Sequence, residues 1–277
     1  MKTKYFSSLL IGLLTLAQSH LSAGVVFTLS TKDLKNPEGS GLAQMYVDGK
    51  NLKMDFTGAT AGSGGMIFRG ADKTMLMIDN KRKQYVEMDE ATITKLSNQM
   101  NQAMAQMNEA LKNVPPAQRA MMENMMKERM GALMPKAEEK IPTTLVKGTK
   151  NKTIAGYETQ HFIQKRGNQI TNEFWIADWE ALKEGKDVMG AFEDMSAFLN
   201  KMMDTISQGP FNFMDSMMED NMFQQVEELG GFPVSSINYE NGTPSRESTL
   251  ESTEAKDLAK STFAAPKGYK KQRIDGR

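Results

Sequence analysis

Histidine, cysteine and methionine set the limits on chemistry in this chain. Cysteine is absent and there are two histidines. Thiol nucleophiles, cysteine-based zinc sites and iron–sulfur clusters are therefore excluded. His20 falls within an N-terminal leader, so His161 stands alone. That removes most metal centres, catalytic triads and histidine-based acid–base pairs. No set of nucleophile, base and orienting group can be assembled. The sequence thus predicts no enzyme, no catalytic residue and no cofactor. Methionine runs the other way, with 24 residues, although it is not among the common amino acids. Its flexible thioether suits irregular core packing or an adaptable apolar binding groove. It is also a soft ligand for Cu(I). Met122, Met125 and Met126 share a helix face at i, i+3 and i+4 spacing, as do Met214, Met217 and Met218. No histidine lies near either group.

The remaining chemical candidates have plain structural readings. His161 lies on the apolar face of a hairpin, opposite Asn172 or Phe174, and reads as a buried, hydrogen-bonded core residue. Trp175 points away from the predicted core together with Phe162. Asp178 can cap a segment that starts at Trp179. Glu138-Glu139 and Glu227-Glu228 read as solvated helix faces, without the apolar surroundings that tune a carboxylate. Gly58 to Gly65 is no phosphate loop, because no Gly-Lys-Ser/Thr follows it.

The elements that position these residues come in blocks. The chain opens with Lys2 and Lys4, an apolar run from Tyr5 to Ala17, and Leu21-Ser22-Ala23. This is the grammar of a secretory signal cleaved near Ala23. The run is shorter than the roughly 20 residues a membrane span needs. Residues 1–23 are therefore predicted to be a signal peptide, and 24–277 a single exported domain with no transmembrane segment. Basic and acidic residues balance at 34 each, which disfavours nucleic acid as a partner.

From Gly24 to Met88 the alternation reads as antiparallel β structure. Asp48-Gly49 marks a type I′ hairpin turn. Pairing Val47 with Lys50 places Ala43, Met45, Leu52, Met54 and Phe56 on one face. At Asp89, a good N-cap, the period changes. Ile93, Leu96, Met100, Ala103, Met107 and Ala110 form a heptad-like seam. Pro115-Pro116 then separates it from a second Met-rich helix ending near Met134. Together they predict an inserted helical hairpin at about 89–135. β structure resumes from Thr143 to Trp175, with a hairpin through Gly167-Asn168 that puts Tyr157, His161, Ile163, Ile170, Phe174 and Ile176 on one face. Helices are predicted over Asp187 to Ile206 and Phe213 to Leu229. Final strands follow around Glu240-Asn241-Gly242-Thr243. The fold class is α+β: a curved antiparallel sheet, an incomplete barrel, with helical hairpins packed on its concave face.

Three strings carry a family resemblance. These are Met45-Tyr46-Val47-Asp48-Gly49-Lys50-Asn51-Leu52-Lys53-Met54-Asp55, the strand–turn–strand from Met75 to Met88, and Ser261-Thr262-Phe263 through Pro266-Lys267-Gly268-Tyr269. With the block order, they resemble the LolA/LolB-like periplasmic lipoprotein-carrier superfamily. Glu173-Phe174-Trp175-Ile176-Ala177-Asp178-Trp179 and Gly230-Gly231-Phe232-Pro233-Val234 add a likeness to an exported bacterial domain-of-unknown-function family near those carriers. The resemblance implies an apolar cavity for acyl chains under a helical lid.

The functional expectation is an exported, periplasmic, non-enzymatic binding protein for an acyl chain, lipid or hydrophobic protein segment. Its ligand-binding residues would be Met45, Leu52, Met54, Phe56, Ile163 and Phe174, with Met104, Met122 and Met126 from the lid. Two alternatives stand beside it. One is a Cu(I)-binding or oxidant-scavenging protein using Met122, Met125 and Met126. The other is an assembly factor whose Met-rich helices meet an exported protein partner.

Overall fold

The computed structural model describes residues 24–58, 64–112, 142–207 and 229–273. The predicted signal peptide lies outside them, as do the second half of the predicted helical hairpin and all but the last residue of the helix expected over Phe213 to Leu229. Six strands come first: β1 (Gly24–Asp33), β2 (Gly41–Asp48), β3 (Asn51–Gly58), β4 (Gly64–Arg69), β5 (Thr74–Asp79) and β6 (Gln84–Met88). Helix α1 (Glu90–Lys112) follows. Next are β7 (Thr143–Lys147), β8 (Thr153–Ile154), β9 (Tyr157–Arg166) and β10 (Gln169–Asp178), then helix α2 (Gly185–Ser207). The chain closes with β11 (Gly231–Glu240), β12 (Thr243–Lys256) and β13 (Lys270–Gln272).

All the described strands belong to one connected sheet in the order β13-β6-β5-β4-β3-β2-β1-β12-β11-β10-β9-β7, with β8 on β9. Every pairing is antiparallel except β13 with β6. The end strands β13 and β7 are not joined to each other, so the sheet is open. Turn chemistry explains the hairpins. Asn241 and Gly242 both take positive φ, 52° and 75°, as a type I′ turn requires. The β2–β3 turn differs from expectation. Asp48 pairs with Asn51 and Val47 with Leu52, so Gly49-Lys50 forms the turn and only Gly49 has positive φ. The register slips by two residues, which preserves every facing. Pro233 lies inside β11. It sits where the β10–β11 register shifts, and a bulge is one of the few places a sheet tolerates proline.

Asp89 caps α1 as expected, its carboxylate accepting from the Thr92 amide at 2.7 Å. Ile93 and Ser97 are buried on α1, and Ser97 Oγ donates to the Thr205 carbonyl of α2. Further along, Ala103 is exposed; an apolar spacing supplies a seam but not a partner to cover it. Among the described residues, helix α2 is the main cover of the sheet. Val188, Ala191, Phe192, Met195, Phe198, Leu199 and Met202 form one buried cluster with Val25, Phe27, Met45, Val47, Leu52, Phe68, Trp175 and Val234. Two smaller clusters occupy the other face. Ile67, Leu76 and Ile78 pack with Phe263, while Phe174 and Ile176 pack with Leu229, Phe162 and Leu145.

Candidate functional site

The face under α2 is built from cross-strand rows. Directly paired residues share a face, so the registers give its composition. One row runs Val25, Val47, Leu52, Phe68, Met75, Met88. The next runs Phe27, Met45, Met54, Met66, Met77, Val86. A third holds Leu29, Ala43, Phe56, Gly64 and Asp79. The first row is buried across its centre. In the second, burial fades outward: Met45 and Met54 are buried, Met66 is half-buried and Met77 is 46% exposed. In the third row Phe56 is 37% exposed. Among the described residues, the apolar face thus extends past α2 as a shelf of Phe56, Met66 and Met77. A cleft of about 210 Å³ also lies between α1 and α2, with Ile93, Phe198 and Met202 inside it and Lys73, Glu90, Asp194 and Lys201 at its mouth.

At the far end of the same face the side chains turn polar. His161 is fully buried and stacks on Trp175, ring centroids 4.9 Å apart. Its Nδ1 accepts from the Lys150 amide at 3.3 Å. The ring proton therefore sits on Nε2, which donates to Glu173 Oε2 at 3.0 Å. Tyr239 donates to the other Glu173 oxygen at 2.8 Å. Burial alone would raise the Glu173 carboxyl, but the hydrogen bonds from Tyr239 and His161, with Lys150 Nζ at 3.6 Å, hold it below the ordinary value. Burial and the same carboxylate push Tyr239 up to about 12. Trp175 Nε1 donates to the Lys150 carbonyl at 2.7 Å, and Lys152 Nζ lies over the indole ring. A Cβ at Gly148 would fall 1.8 Å from His161 Nδ1, so glycine lets the 148–152 loop lie directly on the imidazole. The network pins that loop to the sheet. His161 spends both ring nitrogens within the fold.

The structure sorts the predicted site residues into groups. Met45, Leu52 and Met54 lie side by side, buried in the same cluster as the apolar residues of α2. Phe56 is at the open rim of that face. Ile163 shares the face but sits on β9, with β2, β1, β12, β11 and β10 between it and β3. Phe174 is a correction. A bulge at Thr171 shifts the β9–β10 register, so Phe174 pairs with Phe162 and Trp175 with His161. One extra residue exchanges the faces downstream. Phe174 and Ile176 therefore lie on the opposite face, and Trp175 belongs to the main core. The Met104 side chain and all of Met122, Met125 and Met126 lie outside the described residues. Asp178 does cap the short turn Trp179–Ala181, accepting from the Glu180 amide. Two features escape the sequence reading. Glu173, the partner of His161, is hidden by the bulge. The methionine row on β2–β5 becomes visible only when strand registers are aligned.

These features define an open, largely antiparallel sheet with a Met-rich apolar face under a helix. The model of the family described as Domain of unknown function (DUF4412) matches residues 88–269. The chain belongs to that family. Among curated proteins none matches. Solved structures are similar, among them the following three. An uncharacterized conserved protein from Thermus thermophilus is 8% identical over 91% of each chain, at a TM-score of 0.43. The PNGF-II structure is 9% identical over 88% of this chain and 30% of its own, at 0.36. The LolA superfamily protein NE2245 from Nitrosomonas europaea is 8% identical over 88% of this chain and 90% of its own, at 0.24. At these identities and TM-scores the likeness bears on neither ligand nor activity. No described helix is long and apolar enough to cross a membrane.

Proposed function

We propose that this protein is an exported, periplasmic, non-enzymatic binder of an acyl chain, with the helices acting as a cover over the concave side of the sheet. One observation carries the reading: the apolar face continues past α2 into Phe56, Met66 and Met77. Contiguous exposed apolar surface of this kind marks a binding site more often than a scattered surface leucine does. Methionine suits it, because an unbranched thioether adapts to chains of varied shape. The sequence resemblance to LolA/LolB-like carriers implies the same class of ligand. His161, tied to Glu173 and Lys150, is occupied in holding the fold.

The test is titration of the folded protein with a fluorescent fatty acid. Phe56→Glu and Met77→Glu both place a charge on an exposed position and should leave the circular dichroism spectrum unchanged while removing binding. Equal affinity in wild type and both variants would defeat the assignment.

A further inference from the structure

We propose that Met54, Met66 and Met77 form a thioether site for Cu(I). The three are directly opposed on neighbouring strands: Met54 pairs with Met66, and Met66 with Met77. Met45 extends the row on the buried side. Strands lie about 4.8 Å apart, so the outer two side chains start about twice that distance apart with Met66 between them. Each methionine has three rotatable side-chain bonds, enough to bring three sulfurs around one ion above Met66.

Composition alone does not account for this row. Central strand positions favour β-branched and aromatic residues, and Leu or Ile would specify a core better than the pliable methionine. What methionine adds is a soft donor, and thioethers select Cu(I) over harder divalent ions. The surroundings agree. Leu52, Phe68 and Met75 bound the row on one side and Phe56 and Gly64 on the other. Among the described residues no group of three or more His, Cys, Asp or Glu could hold a competing metal. Gly64 places no side chain between Phe56 and Asp79 in the outer row, and Met77 is 46% exposed while Met54 is buried. An ion would meet the outer sulfur first and reach the inner two from there. The step is ligation only, with no change of oxidation state.

The site shares Met66 and Met77 with the acyl shelf, yet it stands on sulfur rather than on apolar area, so the two can be separated. The experiment is anaerobic titration of the folded protein with Cu(I) against a chromophoric Cu(I) chelator, with X-ray absorption to read the coordinating atoms. Wild type should compete with the chelator and show sulfur-only coordination. Met66→Leu and Met77→Leu keep volume and apolarity. Each should weaken Cu(I) binding by more than about tenfold, or about 1.4 kcal/mol. Phe56→Glu, which removes no sulfur, should keep Cu(I) binding while removing fatty-acid binding. Met195→Leu, under α2, serves as the control for folding and for non-specific thioether binding. Failure of wild type to compete, or unchanged binding in the Met66→Leu/Met77→Leu double variant, would overturn the site. So would loss of binding only when Met122, Met125 and Met126 are changed to Leu, since that would put the ion on those residues instead.

Discussion

Replacing His161 by phenylalanine should destabilise the protein by about 2–4 kcal/mol, and the size follows from the contacts. Phenylalanine keeps the ring that stacks on Trp175 at 4.9 Å, so little packing is lost. The Nε2 proton donated to Glu173 is lost; a hydrogen bond to a charged group contributes about 1.5–3 kcal/mol. The acceptor for the Lys150 amide is lost too. That loop is partly open to water, so the second loss adds about 0.5–1 kcal/mol. Replacing Glu173 by leucine as well removes the carboxylate, which in His161→Phe has lost its buried histidine donor and keeps Tyr239 and Lys150 as partners. Exchanging a buried pair for apolar groups is often near neutral, whereas breaking one side is costly. The double variant should therefore be no less stable than His161→Phe alone, with a coupling energy of about 1–3 kcal/mol. Urea denaturation followed by tryptophan fluorescence measures this, because Trp175 reports directly on the network. Additivity of the two single changes to within about 0.5 kcal/mol would refute the claim that His161 and Glu173 act as a unit.

Three further outcomes follow from the same geometry. Tyr239 is raised from 10.0 to about 12; a raised folded-state value stabilises below the unfolded value and is lost as pH rises through the folded one. Relative to Tyr239→Phe, wild type should therefore lose roughly 1–2 kcal/mol between about pH 10 and 12, less than the full shift because the side chain is partly solvated; parallel urea midpoints would contradict this. Gly148→Ala drives a methyl into His161 Nδ1 and should cost about 1–3 kcal/mol, with a shift in Trp175 emission as the loop lifts. Met195→Ala empties a fully buried position under α2 and should cost about 2–5 kcal/mol, read as a lowered urea midpoint at constant slope.

Much of the fold is legible in the chain because local chemistry writes it. Asn241-Gly242 marks its turn through two positive φ angles, and Asp89 marks the start of α1 through its carboxylate. The facing of Met45, Leu52 and Met54 survives a displaced turn because a two-residue slip returns each side chain to its own face. Phe174 and Trp175 exchange faces relative to expectation because the bulge at Thr171 leaves no signature in a period-two pattern. The same bulge conceals that Glu173 faces His161. Ala103 falls on an apolar seam yet is exposed, because spacing reports a helix face and not what covers it. The methionine row needs long-range registers between strands, which no window along the chain supplies.

The central claim is that the apolar face beside α2 holds an acyl chain. Native mass spectrometry of gently purified protein, followed by solvent extraction, tests it most directly. A lipid-sized adduct that extraction releases, and that is missing from the Phe56→Glu/Met77→Glu variant, is the predicted result. A bare mass that added phospholipid leaves unchanged would contradict it.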